Sequence, residues 1–377
     1  MKGLRNSKRG PKIVPTPEVT GWELPDIEKW RLYFPIEKVA SRRANIRNPD
    51  TAQMLAEAFV PSGSRDKIII DVLPGPGQLT RALLKLPKCR IKKIIVLEPA
   101  NTFMPYLKSL ETLDPRVTVY QYHGKEWDTY RKLKELGAFD DIVTTDWNDG
   151  SSIVHPQLQF LMHMHSSIEG EQLLSQLLRC VPERQWFFQY GRVPLNIILP
   201  APVWERVLAK ESTPIRCKLG VIAQATMEIQ NAVDPRKLQP FEHHFHPKPM
   251  LNFADAALKK GAIPHVALTM TPWKDSPIEQ GDMDIWDYVI RRLFVQKATP
   301  VKKCLESNSL GPGAANMIPK LTDSSLPEDS ILDLTKIPRN LAVHDWKLIV
   351  DAFKKWPFRP SELGINTFTE RPNNLNR

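Results

Sequence analysis

The stretch IIIDVLPGPGQLTRALL, residues 68 to 84, restricts the possible folds more than any other part of this chain. A β-branched run from Ile68 to Ile70 ends at Asp71, breaks at Pro74-Gly75-Pro76-Gly77, and resumes with Leu79, Leu83 and Leu84 at helical spacing. That order predicts a strand, a tight glycine turn and a helix. The alternation continues: strands are expected at 67–72, 93–97, 116–120, 141–145, 159–164 and 186–190, with helices such as 170–179 between several of them. NPDTAQMLAEAFV predicts an earlier helix, capped by Asn48 or Asp50, with Met54, Leu55, Ala58 and Phe59 on its apolar face. Strands alternating with helices imply a parallel, doubly wound α/β sheet.

In such a sheet, ligands sit beyond the carboxyl ends of the strands. Leu73 to Gly77 lies at that place. Its glycines let the backbone approach a ligand, and the helix that follows presents unpaired N–H groups. Asp71 closes the first strand, and Glu98 in IIVLEPAN closes the next, at the spacing where an acid binds a pair of ribose hydroxyls. Acid, glycine loop and second acid together predict a pocket for an adenosyl-type cofactor. Leu73 opposes that reading, because a glycine is expected at the first loop position and a leucine there would crowd the pocket mouth.

The chain's 377 residues suffice for a domain of roughly 200 to 250 residues and a smaller one. MTPWKDSPIEQGDMD, residues 270–284, reads as a linker, and the text after it is helical and basic. The expected organisation is a basic flexible arm over 1–26, an α/β domain over 27–284, a basic helical domain over 285–356 and a flexible tail over 357–377. The first 17 residues carry Lys2, Arg5, Lys8, Arg9 and Lys12 without an acid, which suits either organelle targeting or a basic arm.

Fifty-two Lys and Arg against 42 Asp and Glu give a formal charge of +10 and a pI near 9.3, which favours polyanionic partners. Between Ile285 and Lys320, Arg291, Arg292, Lys297, Lys302, Lys303 and Lys320 face only Asp287 and Glu306. Lys354, Lys355, Arg359 and Arg371 follow. Such clusters supply affinity for phosphates that falls with salt. Trp286, Tyr288, Trp356 and Phe358 are candidate base-stacking rings, with core packing the preferred reading for Trp286 and Trp356.

Cys89, Cys180, Cys217 and Cys304 form no CxxC pair, so neither a zinc pattern nor a disulfide framework is present, and a reducing compartment fits. His243, His244 and His246 in FEHHFHPKP have only Glu242 beside them and read as a loop, so no metal is expected. TTDWND, residues 144–149, reads as a surface loop. No apolar run approaches the roughly 20 residues that span a bilayer, and no membrane partner is expected.

IRNPDTAQML, DVLPGPGQLTRALL, IIVLEPAN, SIEGEQLLSQLL, WFFQYGRVPLNIILP, IWDYVIRRLFVQKATPV and WPFRP lie between about residue 44 and residue 360. Together they resemble the ribosomal RNA adenine dimethyltransferases. More narrowly, they resemble the fungal mitochondrial transcription factors B, the specificity factors of mitochondrial RNA polymerase. The resemblance implies a Rossmann-like class I methyltransferase sheet with a smaller C-terminal all-helical domain. It also implies an S-adenosylmethionine pocket built from Ile46, Asp71, Gly75, Gly77, Glu98 and His165. Where the family places a further acid, after the third strand, this chain has His123, whose neutral imidazole can still accept a hydrogen bond.

The family's catalytic motif, Asn-Leu-Pro-aromatic, should follow the fourth core strand, so that an amide meets the target amine and a ring stacks on a flipped adenine. At that place stand His165, Ser166, Ser167 and Ile168, with no ring. No catalytic residue is therefore assigned, and S-adenosylmethionine is expected at most as a vestige. The implied protein is a monomeric initiation factor of the mitochondrial matrix that binds mitochondrial RNA polymerase and promoter DNA. RNA is a further candidate partner, and Arg291, Arg292, Lys302, Lys303, Lys354, Lys355 and Arg359 are the candidate nucleic-acid contacts. Two alternatives stand: an active mitochondrial small-subunit ribosomal RNA adenine N6-dimethyltransferase, and a structural component of the mitochondrial ribosome.

Overall fold

A computed structural model describes residues 21–35, 43–147, 154–247 and 263–363. The basic residues from Lys2 to Lys12, the end of TTDWND and Arg371 lie outside the described residues.

The chain runs through α1 (Trp30–Tyr33), β1 (Asn45–Ile46) and α2 (Pro49–Phe59). Asn48 caps α2: its Oδ1 accepts from the N–H groups of Asp50 at 2.8 Å and Thr51 at 3.1 Å, and Pro49 at the first position has no N–H to strand. Ala52, Leu55, Ala56 and Phe59 form its buried face, while Met54 and Ala58 are only half-buried.

The α/β region follows as β2 (Lys67–Val72), α3 (Gln78–Lys85), β3 (Ile91–Leu97), α4 (Met104–Leu113), β4 (Val117–Tyr120), α5 (Trp127–Glu135), β5 (Leu158–His163) and α6 (Ile168–Cys180). Then come β6 (Leu195–Pro200), α7 (Ala201–Val207), α8 (Lys218–Thr226), β7 (Met227–Asn231), α9 (Phe241–His244), β8 (Phe245–His246) and β9 (His265–Pro272). Seven strands make one sheet in the order β4-β3-β2-β5-β6-β9-β7, and β1 pairs with β8 apart from it.

The pairs among β2 to β6 are parallel, as the alternation predicts, but β9 enters antiparallel between β6 and β7. The sheet is therefore mixed, not wholly parallel. Two expected strands are also corrected. Residues 141–145 form a loop, with the Thr145 N–H donating to the Tyr190 carbonyl at 2.8 Å, and the fourth parallel strand is β5. Trp186–Tyr190 winds into a 3-10 helix because its rings pack edge and face inward, Phe187 lying 4.8 Å from Phe160. The strand beside β5 is instead β6, buried along its whole length. Met270–Pro272, at the front of the expected linker, belong to β9.

Four more helices complete the described chain: α10 (Met283–Phe294), α11 (Val301–Glu306), α12 (Ile318–Leu321) and α13 (Val343–Lys354). On one face of the sheet, Leu55, Leu79, Leu83 and Leu107 of α2, α3 and α4 pack with Ile69, Ile94 and Val96. On the other face, Trp286, Val289 and Leu293 of α10 and Trp346, Ile349 and Phe353 of α13 join Phe160, Met162, Leu195 and Ile197 in one continuous buried cluster. Each fully buried side chain of this kind stabilises the fold by about 1.5–3 kcal/mol.

Because α10 and α13 share the sheet's core, thermal unfolding is expected as one cooperative transition. Trp346→Ala should lower stability by about 3–5 kcal/mol and move that transition without splitting it. Calorimetry together with near- and far-UV circular dichroism checks this.

Candidate cofactor pocket and basic surface

The turn after β2 is strained where a ligand loop would be. Leu73, Gly75 and Gly77 all have positive φ, at 59°, 65° and 84°. A left-handed leucine costs about 1–2 kcal/mol, which explains why glycine is the expected residue there. Leu73 does not stand in the mouth, however: it is 2% exposed and belongs to the buried cluster beneath the sheet. At Gly75 an added Cβ would lie 2.2 Å from Asn45 Oδ1, so β1 presses against the turn.

Two buried arginines hold this turn. Arg81 of α3 donates through Nη1 to the carbonyls of Pro76 at 2.8 Å and Gly77 at 3.1 Å, through Nη2 to Tyr106 at 3.0 Å, and through Nε to Trp22 at 2.6 Å. Burial pulls its guanidinium down to about 10. The other, Arg43, leaves no mark in the sequence pattern. Its Nη2 donates to both oxygens of Glu98, at 3.0 Å and 2.9 Å, and both side chains are 0% exposed.

Glu98 also accepts from the N–H of Gly75 at 3.0 Å and of Ala100 at 2.9 Å. A carboxylate offers about four lone-pair directions. All four are engaged within the protein, so a ribose diol would have to displace Arg43. The residues present do not fit an adenosyl cofactor.

The other expected pocket residues gather around the same strand ends. Ile46 is buried in β1, and Asp71 is buried at the end of β2 with Thr80 Oγ1 donating to its Oδ2 at 2.7 Å. Burial, more than the neighbouring Glu98, pushes Asp71 up to about 7. His123 is half-buried and shifted downward, mainly by burial and then by Lys125. His165 is pushed down to about 4 by burial, then by Arg43 and Lys125. His163, which the sequence did not single out, is buried at the end of β5 and pushed down to about 3 by burial and then by Arg43. These imidazoles are neutral at pH 7.

Ser166 Oγ lies 3.3 Å from His265 Nε2, and Ser167 Oγ is buried without a partner among the described residues. Ile168 opens α6 and is 73% exposed, where the family motif would place a ring. The motif positions themselves, His165 to Ile168, carry neither an amide side chain nor a benzenoid ring.

Among the basic candidates, Arg292, Lys302, Lys303, Lys355 and Arg359 are exposed, Arg292 also donating to the Ser309 carbonyl at 2.9 Å. Arg291 and Arg292 each lie 5.7 Å from the ring centre of Tyr288, and Arg291 pairs with Asp287 at 4.0 Å. Lys354 serves a structural pairing with Asp282 at 2.5 Å and Glu279 at 3.5 Å. Trp286, Tyr288 and Trp356 are buried and offer no stacking face, while Phe358 is 72% exposed. Of the clustered histidines, His244 Nδ1 lies 2.7 Å from Thr51 Oγ1 and His246 packs edge-on against Trp30.

The profile of the ribosomal RNA adenine dimethylase family matches residues 44–336, and the chain belongs to that family. A protein named mitochondrial transcription factor 1 from Lachancea kluyveri is 24% identical, over 78% of this chain and 82% of the relative. One named mitochondrial dimethyladenosine transferase 1, from Caenorhabditis elegans, is 22% identical over 81% and 75%. The crystal structure of a dimethyladenosine transferase from Plasmodium falciparum superposes with a TM-score of 0.50 at 13% identity, covering 82% of this chain and 98% of that one. The fold is thus the Rossmann-like class I methyltransferase sheet.

Asp71 and the buried histidines respond to pH in opposite directions. Asp71 lies at about 7 in the fold against an ordinary 3.8, so the folded state holds its proton more tightly and stability falls as pH rises through that window. His163 and His165, at about 3 and about 4 against 6.5, contribute stability above 6.5 that is lost as pH falls. Asp71→Asn removes only the first dependence. It should be more stable than the parent by up to about 4 kcal/mol near pH 8 and nearly equal near pH 4, as measured by urea denaturation.

Proposed function

We propose that this chain is a transcription initiation factor of the mitochondrial matrix. It binds a mitochondrial RNA polymerase and assists promoter recognition and melting through contacts with DNA phosphates and unpaired bases. One observation carries this reading. Where the family's chemistry requires a free acid and a stacking ring, Glu98 is bound by Arg43 and an exposed Ile168 replaces the ring. Relatives named mitochondrial transcription factor 1, at 24% and 25% identity, support it.

In this reading S-adenosylmethionine binding is vestigial and the protein acts as a monomer. The helices of 285–356 form the nucleic-acid-facing part, through Arg291, Arg292, Lys302 and Lys303, with Lys354, Lys355 and Arg359 at their end. Arg292, Lys302, Lys303, Lys355 and Arg359 are the exposed members, and Phe358 is an exposed ring available to stack. Family membership and relatives named dimethyladenosine transferase favour a second reading, an active mitochondrial small-subunit ribosomal RNA adenine N6-dimethyltransferase.

Run-off transcription from a linear mitochondrial promoter by the cognate polymerase should rise when the protein is added. A parallel assay of labelled methyl transfer to small-subunit RNA should stay at background. Methyl transfer without stimulation would establish the second reading instead.

Charge reversal of the exposed cations separates their role from folding. Lys302→Glu/Lys303→Glu/Lys355→Glu should leave the unfolding transition in place and weaken promoter DNA binding. The slope of log affinity against log salt should shrink by about 0.9 for each duplex phosphate that the variant no longer neutralises.

A further inference from the structure

We propose that Arg43 is a built-in occupant of the cofactor pocket, its guanidinium meeting Glu98 where a ribose would and so closing the site to S-adenosyl ligands. The proposal rests on the reading that this chain transfers no methyl group, and it names the side chain that shuts the site.

Arg43 stands two residues before Asn45, whose pairing with His246 fixes β1, and Asn45 in turn lies against Gly75. Asn45 therefore holds the backbone just after Arg43 beside the glycine turn. From there the side chain reaches a carboxylate 55 residues away in sequence, with 0% exposure at both ends. The Phe103 ring lies 5.4 Å from the guanidinium carbon and adds a cation–π contact.

Arg43 and Glu98 offset each other's charge, so the pair carries no net charge that would draw a ligand in. S-adenosylhomocysteine and S-adenosylmethionine alike find no free acceptor on Glu98. Arg43 Nε and Nη1 have no partner among the described residues, so the side chain's hydrogen bonds there all go to Glu98.

The test is equilibrium binding of labelled S-adenosylhomocysteine to the full chain. The parent should show no saturable binding, whereas Arg43→Ala should gain at least about tenfold in affinity. Because Arg43→Ala leaves a buried carboxylate unpaired, a second variant, Arg43→Ala/Glu98→Gln, removes both buried charges together and should bind as well. Parent binding as tight as that of Arg43→Ala would overturn the proposal, as would folded variants lacking Arg43 that gain nothing. A parent that stimulates transcription yet binds the ligand overturns the plug alone; one that binds and methylates RNA overturns the functional reading as well.

Discussion

Glu98, at the end of β3, ties together three segments that are distant in sequence: the approach to β1 through Arg43, the glycine turn through Gly75, and the entry to α4 through Ala100. A carboxylate with no exposure is tolerated only when its charge and lone pairs are met, because an unpaired buried ion costs several kcal/mol. That requirement fixes the turn, and the turn fixes where α3 begins. In a cofactor-dependent relative, the same acid would be left partly free for a ligand. Here the protein answers the requirement itself.

In the proposed reading, the same sheet carries the geometry of a methyltransferase without its chemistry. Backbone demands survive in the positive φ values of Gly75 and Gly77 and in Arg81, which staples the turn from outside. The groups around the strand ends are a paired acid, an Asp71 raised by burial and imidazoles lowered by it. Function in the proposed reading moves to the outer surface. α10 and α13 share the sheet's core, so the basic residues on them are presented from a rigid base and not from a tethered module.

Much of this was legible in the sequence. Continuous apolar runs and glycine punctuation located β2, β3, β4, β5 and α6, because parallel strands buried on both faces read as unbroken β-branched text. The aromatic cluster at Trp186–Tyr190 misled for a physical reason: rings favour strands only when a pleated surface receives them, and these pack into a single local turn. β7 and β9 are joined through a long connection and lie antiparallel, so no crossover pattern announced them. Arg43 was illegible because a buried arginine follows no periodicity. Only the fold shows that it meets Glu98, and only the fold shows that Leu73 turns inward.

A family member that works on DNA with a polymerase, and not on a methyl group, should open the promoter. A promoter duplex carrying 2-aminopurine at the start site measures that melting directly. Fluorescence should rise only when polymerase and this protein are both present, and added S-adenosylmethionine should change nothing. An equal rise with polymerase alone, or a rise that requires S-adenosylmethionine, would overturn the initiation-factor reading.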